Sequence, residues 1–196
     1  MKVLLFCAKG FETMEFSPFI DVFGWAANDF GCNVQVVTCG FERQVASAFG
    51  VPVLVDRLLS EVSAEGFAAL AVPGGFEEYG FYEEAYDSRF LRLIQEFRRQ
   101  GKPVAAVCVG ALPLGKSGIL KGIRAATYHL GNGRRQRQLA EFGARVADER
   151  VVAEDGIITS RCPETAADVA FALLGMLAGP KMAETVRQAM GYRAEM

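Results

Sequence analysis

Two hydrophobic rhythms alternate along the chain. "KVLLFCA" (2–8) is a continuous apolar run, the pattern of a strand buried on both faces. "FSPFIDVFGWAANDFG" (16–31) then places Phe19, Val22, Phe23, Ala26 and Phe30 on one helical stripe and stops at Gly31. "NVQVVTCG" (33–40) predicts a second strand, and 43–56 a further short β element. "FAALAVPGG" (67–75) predicts a strand ending in a Pro-Gly-Gly turn. "DSRFLRLIQEFRRQG" (87–101) predicts an amphipathic helix capped by Asp87 or Ser88 and stopped by Gly101. Residues 104–107 read as another buried strand, and from Gly110 the spacing of Leu112, Leu114 and Ile119 turns helical. "RAATYH" (124–129) is a short β-like run. "RVVAEDGIITSR" (150–161) predicts a hairpin turning at "EDG". A helix over 163–179, with Pro163 in its first turn, and a short final helix over 180–192 complete the pattern.

Alternation of this kind predicts an α/β fold: a doubly wound, mostly parallel sheet sandwiched by helices. With no repeat, low-complexity tract or long linker, residues 1–196 read as a single domain. Ligands of such folds bind beyond the carboxyl ends of the strands. Four stretches fall there: "AKGFETME", "PGGFEE", "VCVGA" and "TSRCPE".

Composition narrows the function. The 196 residues are 51% hydrophobic and 22% charged, with a net charge of −2, so there is no basic footprint for nucleic acid or an anionic membrane. "GRRQRQ" (133–138) is basic, and it reads as a solvated helix face or else an anion or partner site. No apolar run approaches the ~20 residues that cross a bilayer, and "MKVLLFCA" lacks the features of a signal peptide. A cytoplasmic protein is expected. Five cysteines, an odd number with no CxxC, and a single histidine give no zinc spacing and no disulfide framework. No metal and no cofactor are therefore expected. Cys7, Cys32 and Cys39 lie in or beside apolar runs and read as small core residues.

Cys108 differs from these three. It sits where a strand gives way to a helix, with Gly110 and Ala111 clearing space around it. The turn holds its side chain out from the sheet edge, and the free N–H groups of the helix start favour a thiolate. A pKa below the ordinary thiol value is expected for such a nucleophile. In "PGGF" (73–76), Gly75 can approach another backbone closely, and its N–H together with that of Val109 is positioned to form an oxyanion hole. Glu15 in "GFETMEF" is either a residue favoured by the helix dipole or a carboxyl that crosses the crevice to Cys108. In the second case it must carry a proton, and its pKa is raised. His129, the only histidine, is either structural or the partner base of a Cys–His pair.

Together these stretches resemble the DJ-1/PfpI family of the class I glutamine amidotransferase-like superfamily, over nearly the whole chain. The resemblance rests on "KVLLFCAKGFETMEF", "AVPGGFEE", "AAVCVGALPLGKSGIL", "ATYH" and "DGIITSRCPETAADVAF", in that order. It implies a flavodoxin-like fold with Cys108 as the nucleophilic or redox-active cysteine and Glu15 as the protonated carboxyl touching it. It further implies Gly75 and Val109 as oxyanion donors, His129 as a nearby base, and Gly74 and Arg161 as substrate or anion contacts at the mouth. A homodimer with the site near the subunit interface is also implied. Two positions depart from the family's pattern. Val109 stands where the protease-like branch has His, which argues against a peptidase. Cys162 stands where the family has Gly, and it is a candidate resolving cysteine for an oxidised Cys108.

Three functions follow as expectations. One is cofactor-independent glyoxalase III or deglycase-like chemistry on small reactive carbonyls. Another is a non-catalytic oxidative-stress sensor or chaperone-like protein in which Cys108 oxidises to a sulfinic acid. The last is an amidase or hydratase acting on a C–N substrate, a reading encouraged by the likeness of "CVGALPLGKSGILKG" to branches related to isonitrile hydratases.

Overall fold

The computed structural model describes residues 1–192, and the buried runs of the sequence form its central sheet. The first half contains β1 (Lys2–Phe6), α1 (Thr13–Asn28), β2 (Gln35–Gly40), β3 (Gln44–Ala46), β4 (Pro52–Leu54), β5 (Arg57–Leu58), β6 (Ala69–Val72), α2 (Phe81–Ala85) and α3 (Ser88–Arg99). The second half contains β7 (Val104–Ala106), α4 (Ala111–Lys116), β8 (Arg124–Ala125), α5 (Arg134–Glu141), β9 (Arg145–Val146), β10 (Val151–Glu154), β11 (Ile157–Ser160), α6 (Ala166–Ala178) and α7 (Pro180–Ala189). The sheet has seven strands in the order β10-β11-β7-β6-β1-β2-β5. All its pairings are parallel except that of β10 with β11. Helices α1, α6 and α7 pack together as one layer, and α2 to α5 as another. The expected doubly wound α/β fold is what forms.

Small residues on the central strands make room for large ones on the helices. Ala69, Ala71, Ala105 and Ala106 are completely buried, as are Phe19, Phe90 and Phe97 from the helices. The Phe6 and Phe90 rings stack with centroids 3.6 Å apart. The predicted stripe Phe19, Val22, Phe23 and Ala26 is buried on α1, whereas Phe30 lies beyond the helix and is half-buried.

Several boundaries move for local reasons. Helix α1 starts at Thr13, before the expected 16, because Glu12 O accepts from the N–H groups of Glu15 and Phe16. The Glu12 N–H in turn donates to Gly74 O at 2.9 Å, which ties the helix start to the end of β6. The segment 43–56 folds as the β3–β4 hairpin, outside the main sheet. The hairpin over 150–161 turns at Asp155 and Gly156, both at positive φ, as its "EDG" sequence requires. Of "RAATYH", only Arg124–Ala125 is strand. The final helix stops at Ala189, short of the expected 192.

Candidate active site

Strand order reverses around β1. The chain runs from β1 to β2 on one side and then returns to place β6 on the other. That reversal opens a crevice at the carboxyl ends of β1 and β6, the usual ligand position in a doubly wound sheet. Glu15 enters it from the first turn of α1, the Pro-Gly-Gly turn from β6, and Cys108 from β7.

Cys108 adopts φ +53°, a left-handed conformation that costs a cysteine on the order of 1–3 kcal/mol. Its surroundings enforce it. Thr127 Oγ1 donates to the Cys108 carbonyl at 2.9 Å. A Cβ at Gly110 would stand 2.4 Å from Val72 O, so the turn packs directly on the end of β6 and admits only glycine there. The Val109 N–H lies beside the Cys108 sulfur and favours its charged form.

Glu15 is fully buried. Its Oε2 accepts from the Gly74 N–H at 2.5 Å. The Cys108 thiol and the Glu12 side chain are the polar groups beside the rest of its carboxyl. Burial, reinforced by the charge on Glu12, pushes the Glu15 carboxyl up to about 8. The same environment raises Cys108 well above its ordinary value, first through burial and then through Glu15. The expected lowering of the thiol pKa is thus not found. Two acids sharing one desolvated pocket each resist charge, and a negative charge on either raises the other. Both groups are therefore held in their neutral, protonated forms around pH 7.

The other predicted residues separate. Gly75 pairs with Phe11 in an antiparallel bridge whose hydrogen bonds run from Phe76 N to Gly10 O and from Glu12 N to Gly74 O. The Gly75 N–H faces out of that bridge, and Gly75 lines the cleft with Cys108 and Val109. The Gly74 N–H is committed to Glu15 and so positions the carboxyl rather than a substrate. His129 does not contact Cys108. Its Nδ1 lies 3.3 Å from the sulfur of Cys162, just past the end of β11. Arg161 pairs with Asp148 at 3.6 Å and is absent from the cleft lining.

The cleft has a volume of about 560 Å³. Met14, Phe76 and Leu130 give it an apolar wall, and Glu12, Tyr128 and Arg135 supply polar groups. Arg135 is held by Glu77 at 2.8 Å and lies over the Tyr82 ring. Sequence reasoning misses Glu12, which stands in extended conformation just before the first turn of α1. Arg135 is legible in sequence only as part of a basic helix face. No group of three or more His, Cys, Asp or Glu among the described residues could hold a metal ion.

Comparison with known proteins places this site in a family. The DJ-1/PfpI family pattern matches residues 1–176. A Staphylococcus aureus (strain Mu50) protein of unassigned function, SAV1875, is 31% identical over 163 residues, covering 83% of this chain and 90% of its own. YraA of Bacillus subtilis (strain 168), provisionally named a cysteine protease, is 27% identical over the same shares. The crystal structure of Drosophila melanogaster DJ-1beta superposes with a TM-score of 0.85 at 26% identity, covering 98% of each chain. The oxidized DJ-1 of Toxoplasma gondii gives 0.82 at 26% identity, covering 98% of this chain and 99% of that one. By its sequence over residues 1–176 and by its fold, this chain belongs to the DJ-1/PfpI family.

Proposed function

We propose that the protein acts on small reactive carbonyls, with Cys108 as nucleophile and Glu15 as its proton partner, in the manner of a glyoxalase III or deglycase. The observation that carries this reading is the fully buried Glu15 carboxyl beside an elbow cysteine. The Cys108 sulfur adds to the aldehyde carbon of a 2-oxoaldehyde. Glu15, which holds a proton at rest, gives it to the carbonyl oxygen as the sulfur adds, and the thiol proton passes to water, leaving a hemithioacetal beside a Glu15 carboxylate. The carboxylate then removes the proton from that carbon and returns it to the neighbouring carbon, while the hydroxyl proton passes to the neighbouring oxygen. The resulting thioester of a 2-hydroxy acid is hydrolysed by water, which returns the thiol. Val109 and Gly75 N–H groups stabilise the oxyanions along this path.

A C–N hydrolase or peptidase needs a base on its thiol, and the one imidazole of the chain is held on Cys162 instead. That favours the carbonyl reading. A homodimer belongs to the same proposal: Phe49, Val51, Leu54 and Tyr79 form an exposed apolar surface around the β3–β4 hairpin, suited to a second copy. The test is glutathione-free turnover of methylglyoxal by two variants. Glu15→Gln is expected to lose on the order of 10²–10⁴-fold in kcat, the usual contribution of a positioned acid-base group. His129→Gln is expected to retain most activity. A reversed ranking would transfer the proton role to His129 and overturn the assignment.

A further inference from the structure

The cleft contains a second thiol, and that thiol holds the only histidine. His129 Nδ1 lies 3.3 Å from Cys162 Sγ. Cys162 and Cys108 both line the cleft. Their positions follow from the sheet. Strands β11 and β7 are parallel neighbours with Thr159 opposite Ala106. Cys108 lies two residues past Ala106 and Cys162 three past Thr159. Adjacent strands are about 4.8 Å apart, and disulfides span about 4.4–6.8 Å between Cα atoms. The two cysteines therefore leave neighbouring strand ends and open into the same cleft. Tyr128 is close enough to feel charge on either sulfur.

We propose that Cys162 and His129 form a resolving pair, which converts peroxide-oxidised Cys108 into an intramolecular Cys108–Cys162 disulfide. Hydrogen peroxide is the oxidant. The Cys108 sulfur attacks one peroxide oxygen, the O–O bond breaks, and the departing hydroxide takes up the thiol proton to leave as water. Cys108 has then lost two electrons and is a sulfenic acid. His129 accepts the Cys162 proton, and the thiolate attacks Cys108 Sγ. The S–S bond forms, the S–O bond breaks, and the leaving hydroxide takes the proton from His129 as a second water. Two thiols and one peroxide give one disulfide and two waters.

The base is needed because burial and the Glu164 carboxylate hold the Cys162 thiol above its ordinary pKa. The bond would block the nucleophile reversibly and divert it from irreversible sulfinic acid. The proposal uses the reactivity of the Cys108 sulfur but not aldehyde turnover, so the two readings can fail separately.

The test treats the full chain with hydrogen peroxide, quenches with an alkylating agent and follows intact mass and tryptic peptides. The wild type is expected to lose two hydrogens, to yield a cross-link between the peptides carrying Cys108 and Cys162, and to recover with dithiothreitol. In Cys162→Ser, with Cys162→Ala as a second variant should the first fold poorly, Cys108 is expected to gain two oxygens. In His129→Gln the cross-link is expected to form about tenfold more slowly, with oxygenated Cys108 in its place. The proposal is overturned if wild-type Cys108 takes two oxygens as readily as in Cys162→Ser, or if peroxide leaves both thiols unchanged.

Discussion

Glu15→Gln isolates the physical tension in the site. Burial raises the Glu15 carboxyl from 4.5 to about 8. The folded chain thus keeps a proton that the unfolded chain releases within that window. The contribution to stability is complete below about pH 4.5, falls as pH rises, and is lost above about 8. At about 1.36 kcal/mol per unit the whole window is worth on the order of 5 kcal/mol, of which about 3 falls between pH 5.5 and 8. Glutamine keeps the shape and the acceptor for the Gly74 N–H, but it cannot ionise. A Cys108→Ser background removes the thiol titration from both curves. Glu12, which burial also raises, stays in both. Urea unfolding at pH 5.5, 7 and 8 should therefore show the protein that retains Glu15 losing about 3 kcal/mol more than the Glu15→Gln variant over that range. Curves that stay parallel within about 0.5 kcal/mol would refute the reasoning.

Other consequences concern the frame around the site. Gly110→Ala brings a Cβ to 2.4 Å from Val72 O, and it should cost about 1–3 kcal/mol in chemical denaturation while displacing the elbow enough to abolish turnover. Thr127→Val removes one of two donors to the buried Cys108 carbonyl, the Ala111 N–H remaining, and a loss of about 0.5–1.5 kcal/mol is expected, again by urea unfolding. Phe90→Ala removes a completely buried ring stacked on Phe6, so about 3–5 kcal/mol should be lost with the cysteine chemistry of the surviving folded protein unchanged.

Much of this is legible in the sequence because it follows from period and punctuation. Continuous apolar runs mark β1, β2, β6 and β7, and the glycines after them mark where the chain turns. The elbow at Cys108 is visible as a change of hydrophobic period, and Glu15 as a carboxyl opening a helix beyond a strand end. What stays hidden depends on long-range placement. The position of His129 in the sequence is compatible with either cysteine, and only the folded chain sets its imidazole beside Cys162. The Gly74 N–H could face a substrate, and the tie between Glu12 and Gly74 turns it to Glu15 instead. The thiol pKa runs opposite to the sequence expectation for a related reason. The helix-start N–H groups favour a thiolate, but the pocket that supplies them also buries both Cys108 and Glu15, and burial outweighs that gain.

The central claim is that the Cys108 sulfur performs carbonyl chemistry, and the most direct measurement is lactate formed from methylglyoxal without glutathione by the wild type and by Cys108→Ala. We predict steady lactate production by the wild type and none above the buffer rate by the variant. Equal rates from both proteins, or an inert wild type, would contradict it.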